Sequence, residues 1–392
     1  MTIAFLGMES KRNPLWPRLV SLRLSTAYTG AFMASVPTFL SSKVKSLALF
    51  LPQAVDTRVF IRSLIPMVSD RCQGVEDLSL HIAVGDSNSA NGVAELISTC
   101  RDTLRTLYIS PPFKMEYLPT IASLPQLRGL TLDKAYLPPT LPPGAFPTLE
   151  EFTFPSFQGP HPQHFLNHLR TTNLKVVKIH CANSIDIKGL IAMLSRFSTS
   201  LRVLEITPAM VLSSFDLTPL PPFTTLKEVH LCCLPRGEFF HTPCTLRLSD
   251  QDVGFLGTAM PNLVHLTLGS QTCSSLRRVT FQSLINLSRT CQHLETLKIQ
   301  VDFQAMVDSS VNETINLGTD ETPDETEGVV CNLRALSLGA SPFPSRSNAR
   351  RIVAIGLKKI FPSLSDVTVT GHGSKRSKWE DVRRDIRMLQ RC

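Results

Sequence analysis

Three histidines stand close together in His161-Pro-Gln-His164-Phe-Leu-Asn-His168. On a helix, residues four apart share a face, and His164 and His168 would approach zinc as paired imidazoles do. A tetrahedral site needs further ligands, and no cysteine or carboxylate stands near enough in sequence to supply them. The stretch is therefore read as a solvated helix start, without metal. Gly371-His-Gly-Ser-Lys375 has the residue types of a phosphate loop but lacks the G-x-x-x-x-G-K-[ST] spacing, and reads as the joint before a C-terminal helix. No G-x-S-x-G, H-E-x-x-H or G-x-G-x-x-G sequence occurs. A reaction centre needs a nucleophile, a base and an orienting group held together. None is legible, so the chain is expected to be non-enzymatic and to need no cofactor.

What recurs instead is an apolar phrase, L-x-x-L-x-L. It reads Leu19-Leu22-Leu24, Val44-Leu47-Leu49, Val75-Leu78-Leu80, Leu104-Leu107-Ile109 and Leu127-Leu130-Leu132. It continues as Leu149-Phe152-Phe154, Leu174-Val177-Ile179, Leu201-Leu204-Ile206 and Leu226-Val229-Leu231. The last copies are Leu263-Leu266-Leu268, Leu294-Leu297-Ile299, Leu333-Leu336-Leu338 and Leu364-Val367-Val369. Successive copies begin 22 to 39 residues apart. Such a period predicts an α/β leucine-rich repeat solenoid of the ribonuclease-inhibitor-like horseshoe type, with about thirteen repeats, a parallel concave sheet and a mostly helical convex side. Within each strand the second and third apolar residues point into the core, and the residue between them points out to the concave face.

The return segments carry their own signals. Asn91–Arg101, Ser184–Ser200, Ser249–Met260, Ser274–Cys291 and Ser347–Phe361 place apolar residues on one helical face. Ser249 with Asp252 three places on is an acidic variant of the capping box. Trp16-Pro17, Leu124-Pro125, Phe146-Pro147, Met260-Pro261 and Phe361-Pro362 each stand just before a repeat's first leucine. Proline cannot continue a helix and turns its neighbour toward extended backbone, so it ends one segment and launches the strand.

Residues 1–373 are thus expected to form the solenoid, interrupted by a mobile acidic loop over 308–328. Residues 374–392 form a basic helix in which Trp379, Val382, Ile386 and Leu389 make one apolar stripe that covers the open end of the last repeat. Glu380 and Arg384 stand four apart on its other side.

Composition narrows the function classes. Hydrophobic residues make up 43% of the chain and charged ones 18%, as in a folded protein, not a disordered one. The net charge of +8 gathers largely in the C-terminal helix, and the four tyrosines and two tryptophans do not cluster, so no nucleic-acid groove is expected. No apolar run approaches the length of a membrane span, and Thr2 to Gly7 is too short for a signal peptide. Of ten cysteines, Cys72, Cys100, Cys291 and Cys331 each lie two to four residues before a repeat's first apolar position. They read as small buried thiols at the helix–strand junction, which favours an intracellular setting in cytoplasm or nucleus.

The outward column between the second and third apolar residues is the candidate binding surface. In order it is Arg23, Ala48, Ser79, Tyr108, Thr131, Thr153, Lys178, Glu205, His230, Thr267, Lys298, Ser337 and Thr368. Tyr108, Lys178, Glu205, His230 and Lys298 are its distinctive members and the proposed partner contacts. The residue after each first apolar position is charged almost throughout, from Lys45 and Glu76 to Arg334, and reads as a solvated rim.

Phrases such as Leu104-Arg105-Thr106-Leu107 and Leu201-Arg202-Val203-Leu204, the irregular period and the apolar-Pro-x-Leu boundaries resemble the leucine-rich repeat half of fungal F-box proteins. Those of mushroom-forming fungi are the most similar, and the resemblance runs from about Leu15 to Arg391. It implies a substrate-recognition subunit: in that family the F-box docks the adaptor of a cullin–RING ubiquitin ligase and the repeats hold the substrate. Eighteen residues precede Leu19, too few for an F-box. The chain is therefore expected to be either a fragment or shortened product, with cullin–RING components as partners if an F-box lies upstream, or a protein working without the ligase. The alternative is a free-standing repeat scaffold or a GTPase-regulator-like protein.

Overall fold

A computed structural model describes residues 16–25, 36–51, 57–82, 90–110, 118–133, 144–157, 162–185, 187–211, 222–232, 248–269, 279–312, 331–339, 341–346, 348–369 and 374–390. Each of the thirteen apolar phrases carries a strand: β1 Ser21–Ser25, β2 Ser46–Leu51, β3 Asp77–Ile82, β4 Thr106–Ser110, β5 Gly129–Leu132, β6 Glu151–Phe157 and β7 Val176–Ile185. Then come β8 Val203–Val211, β9 Glu228–Leu231, β10 His265–Leu268, β11 Thr296–Lys298, β12 Ala335–Ser337 and β13 Asp366–Thr368. They form one sheet whose strand order is the chain order, and every pair whose register is described is parallel. A sheet built by successive neighbours, each reached through a helix or turn, is a leucine-rich repeat solenoid. The chain divides into two compact units, Met1–Ile179 and His180–Cys392.

In the first unit, Leu47, Leu49, Leu107 and Leu132 are buried, as are Phe152 and Phe154 at the same positions of β6. The ring of Phe165 stacks on Phe152 at 4.5 Å, so three aromatics replace leucines in the core. Each inward side chain of this size contributes about 1.5–3 kcal/mol relative to exposure. Among the described residues, the α-helices here are α1 Thr57–Arg71, α2 Ala90–Thr99, α3 Leu118–Ala122 and α4 Pro162–His168. α1, with Pro66 inside it, has no counterpart among the helices expected from the sequence. Its Leu64, Ile65 and Val68 are buried, and that packing against α2 outweighs the proline.

The second unit holds α5 Ile187–Leu194, α6 Asp250–Ala259, α7 Phe281–Thr290, α8 Gln304–Asn312, α9 Ala349–Ile360 and α10 Ser374–Leu389. The capping box forms: Asp252 N–H donates to Ser249 Oγ at 3.2 Å and Ser249 N–H to Asp252 Oδ2 at 2.7 Å. Three expected spans are corrected. The helix expected from Ser184 starts only at Ile187, because β7 runs on to Ile185, and it closes in a 3-10 turn over Ser195–Phe197. The helix expected from Ser274 is described only from Thr280, whose hydroxyl accepts from Gln282 N–H and sets Phe281 as the first helical residue. The acidic stretch expected as loop from Asp308 begins inside α8, held by buried Val307 and by Asp308 pairing with Arg346 at 2.9 Å. Residues 313–330 of that stretch lie outside the described residues.

The proline boundaries fold alike. In all five, proline and the next residue form a two-residue turn. The N–H of the repeat's first leucine returns to the carbonyl before the proline in three of them: Leu19 to Trp16, Leu263 to Met260 and Leu364 to Phe361, at 3.0–3.3 Å. One joint repeats through both units: the rim carbonyl of one repeat accepts two amides from the next. Lys45 O receives Glu76 N at 2.7 Å and Asp77 N at 3.0 Å, and Arg202 O receives Lys227 N at 2.9 Å and Glu228 N at 3.0 Å. A hydroxyl before the phrase adds a second tie to the preceding repeat, as Thr103 Oγ1 to Val75 O at 2.7 Å and Thr225 Oγ1 to Leu201 O at 2.8 Å.

α10 packs against β13 and α9. Trp379, Val382 and Ile386 are buried as the stripe predicts, but Leu389, in the last turn, is 40% exposed and lines an open groove with Ala354 and Ile355 of α9. Glu380 pairs with Arg376, four places before it, at 3.1 Å, and Arg384 with Asp381, three places before it, at 3.2 Å, in place of the expected Glu380–Arg384 pair.

Candidate functional site

Parallel registry turns the outward residues of each unit into straight columns. In the first unit Arg23 stands opposite Ala48, Ala48 opposite Ser79, Ser79 opposite Tyr108, Tyr108 opposite Thr131 and Thr131 opposite Thr153. In the second, Glu205, His230, Thr267, Lys298, Ser337 and Thr368 follow in the same way. The expected column is therefore a physical row, about 4.8 Å between members. Lys178 lies half-buried on β7.

A neighbouring column, the residue after each third apolar position, escaped the sequence reading and carries the firmest contacts. Phe50 and His81 stack at 4.0 Å with planes 10° apart, and His81 meets Tyr108 at 4.6 Å. The guanidinium of Arg23 lies 3.9 Å from the Phe50 ring centre. Ser79 Oγ stands 3.2 Å from His81 Nε2. Four residues from four strands thus form a ladder of rings with a cation at one end, each contact adding about 0.5–1.5 kcal/mol beyond area burial. Burial, and then the charge of Arg23, lower the His81 pKa, against an opposing pull from Asp133. The signal was present in the sequence as aromatic residues at one repeat position on adjacent strands.

In the second unit the same column contributes His180, whose Nε2 lies 3.0 Å from Glu205 Oε1. His230 Nδ1 lies 3.0 Å from Thr267 Oγ1, and its Nε2 4.0 Å from Glu228 Oε2. Thr207 Oγ1 stands 3.6 Å from Cys232 Sγ. Of the five proposed contacts, Glu205 and His230 are brought side by side, Lys298 sits beyond Thr267 and is exposed, and Tyr108 belongs to the aromatic ladder. These groups offer hydrogen bonds and charge along a face.

A scan against protein-family models and a search of curated proteins return no match. Among solved structures, the chain is similar to the yeast Rad7 and Elc1 complex, at 12% identity over 96% of this chain and 84% of that one, with a TM-score of 0.46. It is also similar to an internalin from Listeria monocytogenes, at 12% identity over 90% of this chain and 82% of that one, with a TM-score of 0.39. Neither likeness assigns a partner to this chain.

The rim behaves as a self-neutralising edge in the first unit. Glu76 bridges Lys45 at 3.1 Å and Arg105 at 3.3 Å, and Glu150 bridges Lys175 at 2.6 Å and Arg128 at 3.8 Å. The hydrogen bond from Lys45 is the main cause that lowers the Glu76 pKa. His168 is exposed, while His161 and the side chain of His164 lie outside the described residues, as do Cys233, His241, Cys244 and Gly371–Gly373. No group of three metal-binding side chains occurs among the described residues, and none of their helices is long and apolar enough to cross a membrane. Cys72, Cys100, Cys291 and Cys331 are buried free thiols at the helix–strand junctions. Burial pushes the Cys100 thiol up to about 12 and those of Cys72 and Cys291 up to about 11.

Proposed function

We propose that the chain is a non-enzymatic protein-binding solenoid that holds its partner on the outward face of the sheet, through Tyr108 and Lys178 in one unit and Glu205, His230 and Lys298 in the other. The observation that supports this is the alignment of aromatic, charged and hydroxyl side chains in straight columns on the face opposite the leucine core. Rigid rows of this kind present directional groups at fixed spacing, with little entropy lost on binding. The resemblance to the repeat half of fungal F-box proteins extends the reading to substrate recognition for a cullin–RING ubiquitin ligase inside the cell, with residues 374–392 as the cap of the repeat stack. Buried unpaired thiols such as Cys100 and Cys291 agree with a reducing compartment.

The test is affinity capture with the intact chain from its own cell extract, compared with a Glu205→Ala, His230→Ala, Lys298→Ala variant. Proteins captured by the parent and lost by the variant support the face as the binding surface, and identical capture sets remove it. Cullin–RING components among the captured proteins support the ligase role. Their absence beside a face-dependent partner leaves binding standing and withdraws the ligase.

A further inference from the structure

On the outward face of the first unit the sheet has a hollow of about 170 Å³ lined by Asp77, Ser79, Thr106, Tyr108, Gly129 and Glu151, among others. Its cause is one residue. In the row that runs Asp77, Thr106, Gly129, Glu151 across β3 to β6, glycine alone has no side chain. A Cβ at Gly129 would lie 3.0 Å from Thr106 Cγ2 and intrude on the hollow. Carboxylates stand at both ends of the row. Asp77 accepts from the Thr106 hydroxyl, and neither Asp77 nor Glu151 has a cationic partner among the described residues. This contrasts with the adjoining rim, where Glu76 and Glu150 are each bridged by two cations. The wall is the Tyr108 ring, held by the His81–Phe50 stack so that its orientation is set before anything binds.

We propose that this hollow receives the cationic side chain, arginine or lysine, of a protein segment lying on the sheet. The inference rests on the sheet-face reading above and names what one part of that face recognises. An aromatic wall attracts a cation to its face, and two carboxylates supply the charge and acceptors that a guanidinium or ammonium needs. The molecule already contains the same pairing, since Arg23 covers Phe50 at the far end of the ladder. An acidic segment would meet two unneutralised carboxylates and is disfavoured.

The experiment uses the full chain, methyl-labelled at leucine, titrated with the capped heptapeptide Gly-Ser-Gly-Arg-Gly-Ser-Gly and with versions carrying lysine, citrulline or glutamate at the centre. Saturable shifts at Leu78, Leu107 and Leu130 with arginine and lysine, absent with citrulline and glutamate, are expected. Gly129→Val should abolish them, with a cooperative melt and native circular dichroism showing that the variant is folded. The exposed double variant Asp77→Asn, Glu151→Gln, which leaves the hollow open, should weaken binding about tenfold. Equal shifts with citrulline, no saturable shift with arginine, or unchanged affinity in both variants overturns the proposal. Capture through Glu205 and His230 is read independently of Gly129, so a failed hollow beside a face-dependent capture sinks this inference and leaves the sheet-face reading in place.

Discussion

His180 Nε2 and Glu205 Oε1 stand 3.0 Å apart on adjacent strands, one position away from Leu204, which has no exposed surface. The alternation of a strand thus places a groove-facing carboxylate and a fully enclosed leucine next to each other in the chain. Substitutions one residue apart should then have opposite consequences.

Leu204→Asp sets an unpaired charge in a continuous core and should destabilise by roughly 4 kcal/mol or more. Glu205→Ala removes one partly exposed pair and should change stability by about 1 kcal/mol or less. Urea denaturation followed by circular dichroism separates the two, and a cooperative, parent-like melt for Leu204→Asp contradicts the register.

Acid should act through His81. Burial and Arg23 make the folded imidazole more reluctant to take a proton than the unfolded one. Stability linked to it is complete above the unfolded pKa of about 6.5 and is lost as pH falls through that value toward the lower folded pKa. The melting temperature of the parent should therefore drop more between pH 7 and pH 5 than that of His81→Phe, which keeps a ring between Phe50 and Tyr108. Parallel curves would take His81 out of the acid response.

The buried thiols should resist alkylation. With pKa values of about 11 to 12, Cys72, Cys100 and Cys291 hold almost no thiolate at pH 8. Iodoacetamide should leave all three unmodified in the native chain and modify them in denaturant, read by peptide mass spectrometry. Because folding raises these pKa values, the stability they contribute is full below the unfolded value and declines as pH climbs toward the folded one.

Trp379→Ala should loosen the C-terminal helix. The indole meets Phe303 at 5.4 Å and Phe343 at 5.3 Å and is 2% exposed. Its truncation should cost about 3–5 kcal/mol in the second unit. Faster protease cleavage within α10 at otherwise native circular dichroism is the expected readout.

The strands were legible because burial dictates them: Leu107 and Ile109, or Leu266 and Leu268, must point the same way, and only a strand spaces them so. The rim and the column of Tyr108, Glu205 and His230 followed from the same alternation. The aromatic residues behind the ladder stood in the sequence, but the phrase alone did not reveal their contacts between repeats. The ring ladder joins Arg23, Phe50, His81 and Tyr108 from four repeats, and the hollow exists only because Gly129 falls between Thr106 and Glu151. α1, with Pro66 inside it, was not among the helices read from the sequence, and its buried Leu64 and Val68 are what hold it.

The paired amides on the rim carbonyls make the joints within each unit chemically alike, whatever side chain stands there: Arg105 O takes Arg128 N and Gly129 N just as Glu295 O takes Arg334 N and Ala335 N. A gene that duplicates or drops one whole period would splice like onto like and lengthen or shorten the protein without inventing a new junction. A slip of a single codon inside a strand would shift its amides off the neighbouring rim carbonyl. The return segments, with copies 22 to 39 residues apart, absorb changes of length, so the lineage is free to change its number of units and bound to keep the strand phrase.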